Sequence, residues 1–218
     1  AQMGRGKAER IMAVAMASLA ATLSKQAMDI TLYMSQNFEF VSLSEEFTTG
    51  SSIMPHKKNP DVFELIRAKC NKMQALPNEI ALITTNLPSG YHRDMQILKE
   101  SIMPAIDELI QCISMMNMML QNVIVNKDIL SNPKYAVIFS VEEVNKEVLK
   151  GVPFRDAYKK VGEAIADKTF NPDFTIKHTH EGSIGNLCND KIEAKLNAVL
   201  QRFNFEKMNT RVQSLISK

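Results

Sequence analysis

An all-α fold follows from three features of the sequence. Helix breakers are scarce, with 8 Gly and 8 Pro in 218 residues, while Ala, Leu, Met, Glu and Lys are abundant. Apolar residues recur at three- and four-residue steps through long stretches of the first 126 residues. Strict alternation is confined to one short segment, residues 38–43, which reads as a brief extended piece. The expected architecture is an elongated bundle of long helices over residues 1–130, followed by a small helical C-terminal domain over 131–218.

The first helix is expected over 7–36. Ile11, Val14, Ala15, Ser18, Leu19, Thr22, Leu23 and Ile30 mark its buried stripe. Ala13, Ala15, Ala17, Ala20 and Ala21 would let another helix approach closely. A second helix runs from about Pro60 to Thr85, with Phe63, Ile66, Leu76, Ile80 and Ile83 inward and a kink or split at Pro77. Leu87-Pro88-Ser89-Gly90 ends it. A third helix is expected over 93–126, irregular at Pro104, with the stripe Ile102, Ile106, Leu109, Ile110, Ile113, Met116, Leu120 and Val123. Met115-Met116-Asn117-Met118-Met119 is apolar almost all round, the pattern of a helix buried between subunits. After a break at Ser131-Asn132-Pro133, helices are expected near 135–149, 154–167, 189–202 and 205–216. Gly151-Val152-Pro153 forms a corner between the first two of these, and 168–188 reads as loop.

Composition narrows the function classes. A net charge of +2 offers no basis for nucleic-acid or anionic-membrane partners. No apolar run reads as a membrane span, and the N-terminus lacks a signal-peptide pattern. Cys70, Cys112 and Cys188 are far apart in sequence and odd in number. They fit reduced, inert thiols in a cytoplasmic protein rather than a disulfide framework.

The chemistry concentrates in residues 49–60. Here Ser51 and Ser52, His56, Lys57, Lys58 and Asn59 crowd one aperiodic segment behind a bendable Gly50. Hydroxyls beside lysines suit an anion, most simply a carboxylate. Asn59-Pro60-Asp61 reads as a helix start, with Asn59 as N-cap, Pro60 at the first helical position and an acid in the first turn.

Gly50-Ser51-Ser52-Ile53-Met54-Pro55-x-Lys57-x-Asn59-Pro60 resembles the signature loop of the fumarase/aspartase superfamily. Three further stretches resemble the argininosuccinate lyase family within it: Asn59-Pro60-Asp61-x-x-Glu64-Leu65-Ile66-Arg67-x-Lys69, residues 90–100, and the corner at 151–158. The resemblance covers about residues 5–165. It implies β-elimination of argininosuccinate to arginine and fumarate, without a cofactor, on a homotetramer whose core is a bundle of long helices and whose sites are shared between subunits. It gives Ser51 a proton-transfer role and Lys57 and Asn59 the task of holding a carboxylate. Tyr91, Gln96 and Lys99 fall on substrate-binding positions, and Ser52 either contacts substrate or caps backbone. His56 leans toward adenylosuccinate lyase, while 90–100 and 151–158 lean back. A non-catalytic helical assembly protein is the alternative from another class. The family's catalytic histidine lies upstream of residue 1, so the 218 residues read as a C-terminal half that is inactive alone.

The remaining polar clusters have plainer readings. His178-x-His180-Glu181 reads as a solvated loop rather than a metal site, since no third and fourth ligand cluster accompanies it. Arg5 reads as part of a frayed terminus.

Overall fold

The structure is a computed structural model that describes residues 4–50, 52–54, 56–176 and 178–217. It divides into two units, Ala1–Ile129 and Leu130–Lys218.

In the first unit, α1 (Lys7–Tyr33) packs against α2 (Asp61–Met73), α3 (Leu76–Ile83) and α4 (Leu98–Gln121). The Ser24 hydroxyl donates to Asn71 Oδ1 at 2.6 Å, and Arg67 donates to Met28 Sδ at 3.0 Å. Rising numbers on α2 thus meet falling numbers on α1, so α2 runs antiparallel to α1. At the far end Gly6 meets Thr84, just past α3. A Cβ on Gly6 would stand 2.7 Å from Thr84 Cγ2, and Gly6 has φ +88°, so only glycine fits there. Helix α4 returns alongside, with Ser101 donating to Glu79 at 2.5 Å and Lys69 paired to Glu108 at 3.3 Å.

The inner face of α1 is Ala13, Met16, Ala20, Leu23, Ala27 and Ile30, an alternation of three and four residues with alanine at every seventh position. Of the expected stripe only Leu23 and Ile30 are buried; Ile11 and Val14 are 71% and 52% exposed. Alanine at every seventh position keeps the face that meets the core small, which lets α2 come close and gain contact along its length. Mean hydropathy of 1.3 over a window makes α1 long and apolar enough to cross a membrane by length and composition, contrary to the sequence expectation. Its inner stripe nevertheless forms the core of this unit.

The second expected helix divides after Met73, and Pro77 sits in the first turn of α3, where its missing N–H costs nothing. The third expected helix is shorter at both ends. Residues Arg93–Gln96 form a 3-10 turn, and after Gln121 the chain becomes strand β2 (Val123–Val125). It pairs antiparallel with β1 (Val41–Leu43), Leu43 opposite Val123. Helix α4 continues through Pro104. Its buried stripe is Leu98, Ile102, Leu109, Cys112, Met116 and Met119; Ile110, Ile113 and Leu120 are exposed.

Cys70 on α2 and Cys112 on α4, distant in sequence, are hydrogen-bonded neighbours in the core. Burial, then the Cys112 thiol, pushes the Cys70 thiol up to about 12. Cys188 is half-exposed. In the native protein a thiol reagent at neutral pH should label Cys188 alone; labelling of Cys70 and Cys112 should wait for denaturant. Mass mapping of labelled peptides checks this, and native labelling of Cys70 would show the core to be open.

In the second unit α5 (Ser140–Leu149) and α6 (Phe154–Ala166) form a hairpin closed by Val144, Ala157 and Val161. The corner uses Gly151 at φ +94°, whose N–H bonds Val148 O at 2.9 Å. Glu147 receives Lys150 at 2.8 Å and Lys160 at 2.5 Å, and these hydrogen bonds hold its carboxyl down at about 2. Among the described residues 171–176 and 178–187 there is no helix, and two of them reach α5. Lys146 reaches Asp173 at 3.1 Å, and His178 Nε2 lies 2.8 Å from Glu142 Oε1. Helices α7 (Asn189–Leu200) and α8 (Phe205–Ile216) follow; neither has a buried residue among those described.

Candidate functional site

Residues 49–60 form a loop with a closed base. Thr49 and Asn59 exchange both backbone hydrogen bonds, N–H to O at 3.2 Å and 2.9 Å. Around this bridge, Lys58 pairs with Glu45 at 3.2 Å, and the Thr49 hydroxyl donates to the Asp61 carboxylate. The tip turns where Lys57 N–H bonds Met54 O at 3.1 Å. Ser52, Ile53, His56 and Lys57 are exposed, and Asn59 is half-buried. Ser51, the expected proton-transfer residue, lies outside the described residues.

The expected cap is displaced by one position. Pro60, not Asn59, is the N-cap of α2, and no side chain caps it. Asn59 is held by its backbone in the bridge to Thr49. The acid expected in the first turn, Asp61, is there, and Glu64 joins it. The two lysines are set apart by their partners. Lys58 is tied to Glu45, whereas among the described residues no ion pair holds Lys57.

Tyr91, Gln96 and Lys99 do meet. Gln96 Nε2 donates to the Tyr91 phenol, and Lys99 donates to Gln96 Oε1 at 2.9 Å. The 3-10 turn before α4 is what brings Gln96 back toward Tyr91. Arg5 extends the cluster: its guanidinium stacks over the Tyr91 ring at 5.1 Å, so it is engaged rather than frayed. Sequence reading missed this contact because 86 positions separate the two residues, and only the antiparallel course of α1 and α3 joins them.

The loop and the cluster stand at opposite ends of α1. Arg5 and Gly6 put Tyr91 at its start, while the hydrogen bond from Phe40 N–H to Tyr33 O puts β1 and the loop's approach at its finish. The 27 residues of α1 span about 40 Å. A cleft of about 480 Å³ between α2–α3 and α4 is lined by Lys72, Glu79, Ile97, Glu100, Pro104 and Glu108, among others, and includes none of the candidate residues. Among the described residues no group of three or more His, Cys, Asp or Glu side chains is arranged to hold a metal.

Known proteins decide what this geometry belongs to. A family model described as lyase matches residues 9–75. A protein of Parabacteroides distasonis named argininosuccinate lyase is 60% identical over 216 residues, which is 99% of this chain and 48% of the relative. The chain belongs to the argininosuccinate lyase family. Another argininosuccinate lyase, from Phocaeicola vulgatus, is 56% identical over 218 residues, all of this chain and 49% of the relative. The chain thus spans about half the length of the curated relatives it matches. Two solved structures share its fold at low identity. One is described as EDDS lyase in complex with formate, with a TM-score of 0.60 and 21% identity, covering 72% of this chain and 31% of that one. The other is a fumarate lyase:delta crystallin from Brucella melitensis, with a TM-score of 0.57 and 18% identity, covering 74% and 35%. The long-helix bundle expected of the fumarase/aspartase superfamily is therefore the fold observed, and family membership extends to α7 and α8, which the sequence resemblance did not reach.

Proposed function

We propose that this chain is the part of an argininosuccinate lyase that holds the succinyl end of the substrate while the C–N bond breaks. The observation that carries the reading is the 60% identity over nearly the whole chain to a relative of that name. The chemistry of the two polar clusters supports it. In β-elimination a base takes the proton from the carbon beside a succinyl carboxylate. The electron pair first loads that carboxylate, then forms the C=C of fumarate as the C–N bond breaks. The guanidino nitrogen leaves with the bonding pair and gains a proton, giving arginine. Charge builds on the carboxylate, so a fixed ammonium and amide stabilise it as it forms. Lys57 and Asn59 are the groups for this task. Ser51 shuttles a proton as one member of an acid/base pair. Tyr91, Gln96, Lys99 and Ser52 bind and orient substrate. No cofactor is needed, because the substrate's own carboxylate is the electron sink.

The assembly is a homotetramer. Ile11 and Val14 on α1, and Ile110 and Ile113 on α4, give the long helices second apolar faces that other copies cover. We place the enzyme in the cytoplasm, in arginine biosynthesis, where its free cysteines stay reduced.

Fumarate absorbance is the test. The full-length protein should release fumarate from argininosuccinate and not from adenylosuccinate, and the 218-residue chain by itself should release none. Release from adenylosuccinate alone would overturn the substrate. Release from neither would favour a non-catalytic assembly protein.

A further inference from the structure

The catalytic reading uses what lies on the loop; the structure also shows what holds the loop's two stems together. Thr49 ends the incoming stem and Asp61 begins α2, on either side of the bridge between Thr49 and Asn59. The Thr49 hydroxyl donates to the Asp61 carboxylate, crossing from one stem to the other. Asp61 is half-buried in the first turn of α2, where its charge also favours the exposed N–H groups of a helix whose N-cap, Pro60, supplies no capping side chain. One carboxylate therefore serves two things: the helix start it sits in and, through Thr49, the incoming stem. The backbone bridge is a single pair of hydrogen bonds between exposed or half-buried residues, with no neighbouring rung among the described residues. The Lys58–Glu45 pair above it is largely solvent-exposed and adds little.

We infer that Thr49 and Asp61 are positioning residues for the lyase site: their side-chain hydrogen bond fixes the loop's base so that Asn59 and Lys57 keep one register against the opposite stem. The inference rests on the lyase reading for its catalytic consequence, not for its structural one. Neither residue contacts substrate; each acts through Asn59 and Lys57.

Tryptic cleavage at Lys57 and Lys58 in the full-length native protein reads the base directly. Thr49→Val removes the hydroxyl and keeps the shape, and Asp61→Asn removes the charge. Each should raise the cleavage rate about fivefold, as expected for loss of one partly exposed charge-assisted hydrogen bond. Thr49→Ser keeps the hydroxyl and should cleave at the wild-type rate. Cleavage of Thr49→Val at the wild-type rate, or of Thr49→Ser as fast as Thr49→Val, overturns the clamp. In argininosuccinate turnover both Thr49→Val and Asp61→Asn should lower kcat by about tenfold, the smaller part of what removing a stabilising donor itself costs, with KM within twofold. Faster cleavage with kcat unchanged overturns the positioning role. If the unsubstituted protein lacks turnover, the lyase reading fails, while the cleavage comparison still decides the clamp.

Discussion

Lys57→Met should lower kcat for argininosuccinate cleavage by about 10²–10³-fold, the usual loss when one preorganised donor to developing negative charge is removed. The substitution keeps the aliphatic stem and deletes only the ammonium. Lys57 is exposed, and among the described residues no ion pair occupies it, so its charge is available to a substrate carboxylate. Folding should be nearly untouched, with an unfolding free energy within about 0.5 kcal/mol of wild type, as for other surface positions. Lys58 provides the internal comparison. It is adjacent, carries the same charge and lies on the same loop, but it is paired to Glu45 at 3.2 Å. That exposed pair is worth at most about 1 kcal/mol, so Lys58→Met should cost less than tenfold in kcat. Steady-state rates on the two variants discriminate sharply. If Lys58→Met were the inactive one, the carboxylate role would belong to the wrong lysine; if both retained turnover, the loop would not be the anion site.

What the sequence made legible was periodicity and the loop, and what it hid was partnership. Phe63, Ile66, Leu76 and Ile80 read as core and are buried, because α2 and α3 have one apolar face only. Helix α1 has two. Ile11, Val14 and Leu19 look inward by hydropathy, yet Ala13, Ala20 and Ala27 are the residues at 0% exposure. Which apolar face of such a helix meets its own chain depends on how closely a neighbour can approach, and that is a property of the pair. The same limit explains Val123–Val125. Their spacing continues the stripe of α4, but β1 offers a ladder of hydrogen bonds, and β-branched residues favour that ladder. Asn59 was misplaced by one residue because Asn-Pro fits a cap so well locally. The bridge to Thr49, ten positions back, holds its backbone instead. In the second cluster Tyr91, Gln96 and Lys99 were legible as a group, since they lie close together in the chain. Arg5 was not, because only the packing of α1 against α3 brings it over the Tyr91 ring.

Two inactive variants should rescue one another. Lys57→Met disables the loop, and Lys99→Met disables the cluster at the other end of α1. Within one chain these groups cannot meet on a small substrate. The helix between them is about 40 Å long. The loop's nine bridged residues can reach no more than about 15 Å from their closed base, since both stems must return to the Thr49–Asn59 bridge. If Lys57 and Lys99 serve the same argininosuccinate, they do so from different copies, arranged so that the loop end of one chain faces the cluster end of another. Antiparallel association of long helices would achieve this, and the outward apolar residues of α1 and α4 would offer a surface for it. In a mixed assembly, some sites then draw an intact Lys57 from one parent chain and an intact Lys99 from the other, while other sites collect both lesions. Co-expression of the two full-length variants should therefore restore part of the wild-type fumarate release, although each alone releases almost none. Denaturing and refolding the two together should do the same, and mixing them without exchange of subunits should not. A mixture that stays inactive after verified exchange would mean that Lys57 and Lys99 act within one chain or that one of them does not act at all. The single substitutions separate these outcomes, because a Lys99→Met protein with normal turnover removes the cluster from the site, whereas two inactive parents that never complement remove the shared site itself.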